Sequence, residues 1–138
     1  MKKNLSTLLL TAVGMTLSAA AAYGQGPMRA DVPFQFHTTN TTLIAGKYSI
    51  APAPKGNAQV IQITNLDSRR TSFVLANQSA TEASGRARLV FRCGDVSGCA
   101  LVEAYTGSGQ GWKLSPPRAP KEEKQYVAVI FLHRNDAD

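Results

Sequence analysis

The stretch Arg86–Thr106, RARLVFRCGDVSGCALVEAYT, decides how the rest of the chain is read. Two apolar runs flank the turn Gly94-Asp95-Val96-Ser97-Gly98, and a cysteine stands at each foot of it, Cys93 and Cys99. This predicts a β-hairpin closed by a disulfide. With the cysteines facing each other, antiparallel pairing sets Phe91 opposite Leu101, Leu89 opposite Glu103 and Ala87 opposite Tyr105. Because side chains alternate, the other face pairs Arg92 with Ala100, Val90 with Val102 and Arg88 with Ala104. One face is then apolar apart from Glu103, and the other carries Arg86, Arg88 and Arg92. That is the pattern of a half-buried hairpin, in which the buried face specifies register. Glycines at both ends of the loop permit positive φ, and Asp95 and Ser97 are turn formers. The C-x5-C spacing matches neither a C-x-x-C redox pair nor a zinc site, and no further ligand lies nearby. Closing so short a loop contributes roughly 2 kcal/mol in the chain-entropy model, so the bond pins register more than it holds the fold together.

An oxidising compartment is expected from the other end of the chain as well. Lys2 and Lys3 precede a small-residue-rich apolar run from Leu5 to Ala22, and Ala22-Tyr23-Gly24 fits a small-x-small cleavage pattern. The expectation is a secretory signal peptide over 1–24 and a single β-rich domain over 25–138, exported to the periplasm or beyond. The apolar run is short and diluted for a membrane span, so no span is expected after cleavage. No cysteine follows it to take a lipid, and no twin arginine precedes it. Removing Lys2 and Lys3 lowers the formal charge from +6 to +4. That excess suits solubility and falls short of a nucleic-acid footprint, and export argues against nucleic acid as a partner.

Along the mature chain, Gln25–Ala30 reads as a loose start. Asp31–His37 alternates, with Val32, Phe34 and Phe36 on one face and Pro33 marking a strand beginning or an edge. A polar turn over 37–42 leads into Leu43–Ile50, broken at Gly46, with Tyr48 and Ile50 sharing a face. Ala51–Asn57 is breaker-rich and reads as a loop. Ala58–Thr64 and Thr71–Ala76 read as strands joined by a polar hairpin connection, and Asn77–Gly85 as a loop. Trp112–Leu114 is a short strand after a Gly-rich tip, and the prolines of Ser115–Pro120 exclude regular pairing. Lys121–Lys124 has room for one helical turn. Tyr126–Leu132, the most apolar run after the leader, reads as a central strand buried on both sides. About seven short antiparallel strands between turn signals predict an all-β sandwich or small barrel.

The V-P-F-x-F of Val32–Phe36, the L-x-A-G-x-Y of Leu43–Tyr48 and the later L-V-F and L-x-E of the hairpin resemble a family of short exported soil-bacterial proteins of uncharacterised function. The chain departs from that family at Ile44, where it often has proline, and over Gly98-Cys99-Ala100, where it often has an aromatic pair. The resemblance implies a β-rich secreted domain and brings no activity with it.

Candidate chemistry is sparse. Glu103 faces the apolar side in the register above, and a buried carboxylate is costly unless paired, which makes it the candidate centre of an enzyme reading. The competing explanation is a margin position, an arginine partner or a bulge that turns it outward. Arg86, Arg88 and Arg92 form a basic stripe suited to an acidic polysaccharide, lipid headgroups or phosphate, or simply to keeping a sheet face solvated. Trp112 with Tyr105 offers a stacking platform for sugars, unless the tryptophan is a lid on the core. His37 and His133, the only histidines, are joined by no metal-ligand spacing, and no G-x-S-x-G occurs. The resulting expectation is a non-catalytic exported module with structural or interaction duties in the envelope, its partner an envelope polysaccharide or another envelope protein. A binding module for carbohydrate or a small apolar ligand is the alternative, and an enzyme centred on Glu103 the third. No cofactor or metal is expected.

Overall fold

The computed structural model describes residues 26–54, 57–80, 85–107 and 110–134. The expected signal peptide and the last four residues lie outside them. The described chain is all-β, in two sheets and without an α-helix. Its strands are β1 (Met28–Val32), β2 (Phe36–His37), β3 (Thr42–Leu43), β4 (Gly46–Pro52), β5 (Val60–Asn65) and β6 (Thr71–Leu75), followed by β7 (Asn77–Ala80), β8 (Arg88–Gly94), β9 (Gly98–Tyr105), β10 (Gln110–Lys113), β11 (Gln125–Phe131) and β12 (His133–Arg134). The first sheet runs β12-β1-β4-β5-β6. The second runs β11-β8-β9-β10-β7, with the short β2 beside β9 and β3 beside β2.

Alternation explains most of this. In β5, Ile61 and Ile63 point inward and Val60 outward, and in β4 Tyr48 and Ile50 are buried. One core joins these to Leu89, Phe91, Cys93 and Leu101 of the second sheet. Phe36 couples the layers, its ring 5.4 Å from Tyr48 and 5.3 Å from Phe91, both edge to face. Buried Tyr48 keeps its hydroxyl satisfied by donating to the Ile44 carbonyl.

Three strands pass from one sheet to the other. β1 continues into β2 through Pro33–Gln35, β6 into β7 through Ala76, and β11 into β12 through Leu132. Val32, Phe34 and Phe36 do share the inward side, but Pro33, which cannot donate to a ladder, ends β1 and lets the chain change sheets. Ala76 and Leu132 are buried at their corners, and their N–H groups donate to Gln59 and Ala87 carbonyls.

Several expectations are corrected. The chain start is ordered from Met28, because β1 pairs with β4 on one side and β12 on the other. β4 runs on to Pro52, so the loop starts later than its breakers suggest. Asn77–Ala80, read as loop, is β7, held by pairing with β10 rather than by its own propensity. Lys121–Glu123 forms a turn, with Glu123 donating its N–H to the Pro120 carbonyl. The largest correction concerns β11. It is an edge strand paired only with β8, and Tyr126, Val127, Val129 and Phe131 are 43–66% exposed. A β-branched apolar run has the same composition whether one neighbour or two flank it, so composition alone misplaced it.

Candidate interaction surface

The disulfide forms as the spacing predicts. Cys93 and Cys99 are bonded and sit opposite each other in the ladder. Phe91 faces Leu101 and Arg92 faces Ala100, and Leu89, Phe91 and Leu101 are buried, all as expected. Gly98 at the turn adopts a φ of 73°, the left-handed conformation that a side chain resists.

Beyond Phe91 the ladder slips by one residue. Val90 pairs with Glu103, Leu89 with Ala104 and Arg88 with Tyr105, leaving Val102 unmatched in a β-bulge. The expected pairs Leu89–Glu103, Ala87–Tyr105, Val90–Val102 and Arg88–Ala104 are therefore corrected, and every residue after Val102 changes face. Glu103 turns to the outer surface, where its Oε1 lies 3.8 Å from the Arg88 guanidinium, with both side chains about a quarter exposed. A pair of that length and exposure is worth at most about 1 kcal/mol. Ala104, now inward, is fully buried beside Trp112, its partner in β10.

The stacking platform is corrected too. Trp112 is 1% exposed and donates its indole N–H to the Ala58 carbonyl at 2.8 Å, tying the entry to β5 onto the second sheet. Tyr105 is 4% exposed, opposite Gly111 and beneath the Arg88 guanidinium, 5.3 Å from its ring centre. Neither ring is open to a sugar. Tryptophan in a Gly-rich setting is the lid on the core that was the competing explanation.

The arginines do gather. Arg88 and Arg92 project from the outer face of β8, and Arg86 stacks on Phe131 of β11, 4.3 Å from its ring centre. Val127, Val129 and Phe131 lie opposite Arg92, Val90 and Arg88. The outer face of β8–β11 is thus an apolar stripe rimmed by three cations.

The segment 114–124 leads from β10 to β11, its residues 116–119 lying across a cleft from Arg92 and Ala100 on the outer side of this sheet, and Glu123 fastens it. Its Oε1 accepts the Val96 and Ser97 N–H groups, the latter at 2.7 Å, while Oε2 is covered and has no hydrogen-bond partner. Hydrogen bonds from Ser97, its backbone N–H foremost, and from Val96 hold the Glu123 carboxyl below its ordinary range against the opposing effect of desolvation. Gly94 leaves room for it, since a Cβ there would overlap the carboxylate as placed and push it off the turn. Nothing in the sequence reading singled out Glu123, although the glycine flanking the turn was a trace of it. The cleft measures about 250 Å³ and reaches from the turn to His37 of β2. The two histidines do not converge, and no group of three or more His, Cys, Asp or Glu side chains suited to a metal occurs among the described residues. No described helix is long and apolar enough to cross a membrane.

No family model, curated protein or solved structure matches the chain.

Proposed function

We propose that this is an exported, non-catalytic interaction module that binds an extended segment of another envelope protein along β11. The observation that carries the reading is a seven-residue edge strand, paired on one side only, whose Val127, Val129 and Phe131 stand exposed on its outer face. An open edge supplies a row of backbone donors and acceptors that a partner strand extends, while side-chain pockets and charges select its sequence. Arg86, Arg88 and Arg92 beside the stripe favour a segment that alternates apolar with acidic residues. The disulfide supports export. The Glu103 geometry favours no catalytic reading, because its carboxylate meets an arginine on the outer face.

The test uses the intact, oxidised protein and a synthetic peptide of alternating valine and glutamate. The peptide is expected to bind and to slow hydrogen exchange of the β11 amides, with Val127→Lys/Val129→Lys abolishing both effects. A valine–lysine peptide should bind at least roughly tenfold more weakly. Equal affinity for the two peptides, dimerisation through β11 in place of peptide binding, or β11-dependent adsorption to phosphatidylglycerol vesicles alone would each overturn the proposal.

A further inference from the structure

We infer that the cleft beneath the 114–124 crossing is a binding site for a small organic anion, beside the β11 edge, with which it shares Arg92 and Gln125. Arg92 reaches it from β8 and Arg118 from the crossing segment, and His37 closes the third side from β2. Neither arginine has an ion pair or hydrogen bond among the described residues, where the sole salt bridge joins Arg88 and Glu103. The Nδ1 of His37 is engaged by the Thr42 hydroxyl at 2.8 Å. Its Nε2 lies toward Gly98, 3.7 Å from where a Cβ on that residue would sit, and so faces the cleft.

No carboxylate lines this space. The Glu123 carboxylate, on the same crossing segment, is committed to the Val96 and Ser97 N–H groups on the turn. Two arginines and a histidine lining one cleft without a counter-charge make an anion site, because planar guanidinium forks match carboxylate and phosphate oxygens. The remaining surface is different in kind. Ala100 and Gly98 form a flat floor, and Pro116 and Pro117 a rigid apolar wall, leaving room for a compact carbon body behind the charged head. At about 250 Å³ the space sits below the range of drug-sized pockets and suits a ligand the size of one sugar acid or sugar phosphate.

Calorimetric titration of the oxidised full domain with glucuronate, glucose 6-phosphate, inorganic phosphate and glucose tests this. Glucuronate and glucose 6-phosphate are expected to bind saturably, more weakly as salt rises, and glucose not at all. The two anions separate a carboxylate from a phosphate source by their relative affinity. Inorganic phosphate, which leaves the apolar floor unfilled, should bind roughly tenfold more weakly than the better of the two. Arg118→Gln, a change outside the β11 face, should weaken binding by roughly tenfold and Arg92→Gln/Arg118→Gln by more, with the melting temperature of the free protein unchanged. Binding of glucose as tight as that of glucuronate, inorganic phosphate matching the organic anions, unaltered affinity in the double variant, or no saturation at millimolar ligand would overturn the inference. Arg118 lies off the β11 face and neither Val127 nor Val129 lines this cleft, so loss of anion binding in Arg118→Gln and loss of peptide binding in the valine variant are read independently.

Discussion

The two sheets end in strands that look alike and are treated differently. β6 closes the first sheet and carries Phe73 and Leu75 on its surface, 54% and 61% exposed, each as open to solvent as the apolar residues of β11. Its backbone, however, is covered. Asn40 donates its side-chain amide to the Phe73 carbonyl at 3.3 Å, and the Thr39 hydroxyl donates to the Leu75 carbonyl at 3.4 Å. The polar turn between β2 and β3 thus lies along β6 and occupies acceptors that an incoming strand needs. Among the described residues no side chain makes the equivalent bonds to β11. Exposed apolar side chains therefore do not by themselves mark a docking edge. What separates the two strands is whether the ladder has already been capped, one of the ways in which proteins suppress edge-to-edge association.

The comparison is broken or sharpened by substitution. Val74 of β6 is fully buried, so Val74→Ala should cost about 2 kcal/mol, whereas Val129→Ala in β11 should cost less than about 0.5 kcal/mol, as read from urea unfolding midpoints. Equal costs would mean that β11 is packed against something in solution. Next in size, Thr39→Ala/Asn40→Ala should lose about 1 kcal/mol or less, and should let β6 self-associate or accept the valine–glutamate peptide. Should light scattering and peptide titration of that variant match the parent protein, capping is not what distinguishes the edges. The smallest effect is a pH dependence at the start of β11. Because the folded-state pKa of Glu123 is depressed, its stabilisation is complete above the ordinary glutamate value of about 4.3 and is lost as pH falls through the lower folded value. Glu123→Gln should be less stable than the parent at neutral pH and converge with it in acid. Parallel unfolding midpoints for the two proteins throughout that titration would remove Glu123 from the account.

Much of the fold was legible because alternation and turn chemistry are local. The Cys93–Cys99 clasp, the inward Leu89 and Phe91, and the Tyr48/Ile50 and Ile61/Ile63 faces all follow from spacing within a few residues. The failures are non-local. Nothing about Val102 marks it as the residue to be bulged out. The slip lets Ala104, rather than Glu103, sit between Leu89 and Trp112, a requirement set by a third strand. Misjudging that one residue misplaced Glu103, the centre of the enzyme reading, while the stripe of Arg86, Arg88 and Arg92 survived because Arg92 precedes the slip and the others are anchored by β11. β11 was misjudged for a similar reason, since the number of neighbours a strand has is a property of topology. Glu123 meets Ser97 across 26 residues of chain, a separation over which no periodicity carries information.

The strands that change sheets at Pro33, Ala76 and Leu132 act as rivets between the layers. The layers cannot part like the pages of a book, because opening the core at any side drags a continuous backbone out of both. Local breathing is confined to the rim, and the interior opens as a single event. A protein so fastened can carry load along its exposed border without exposing the oily centre to water.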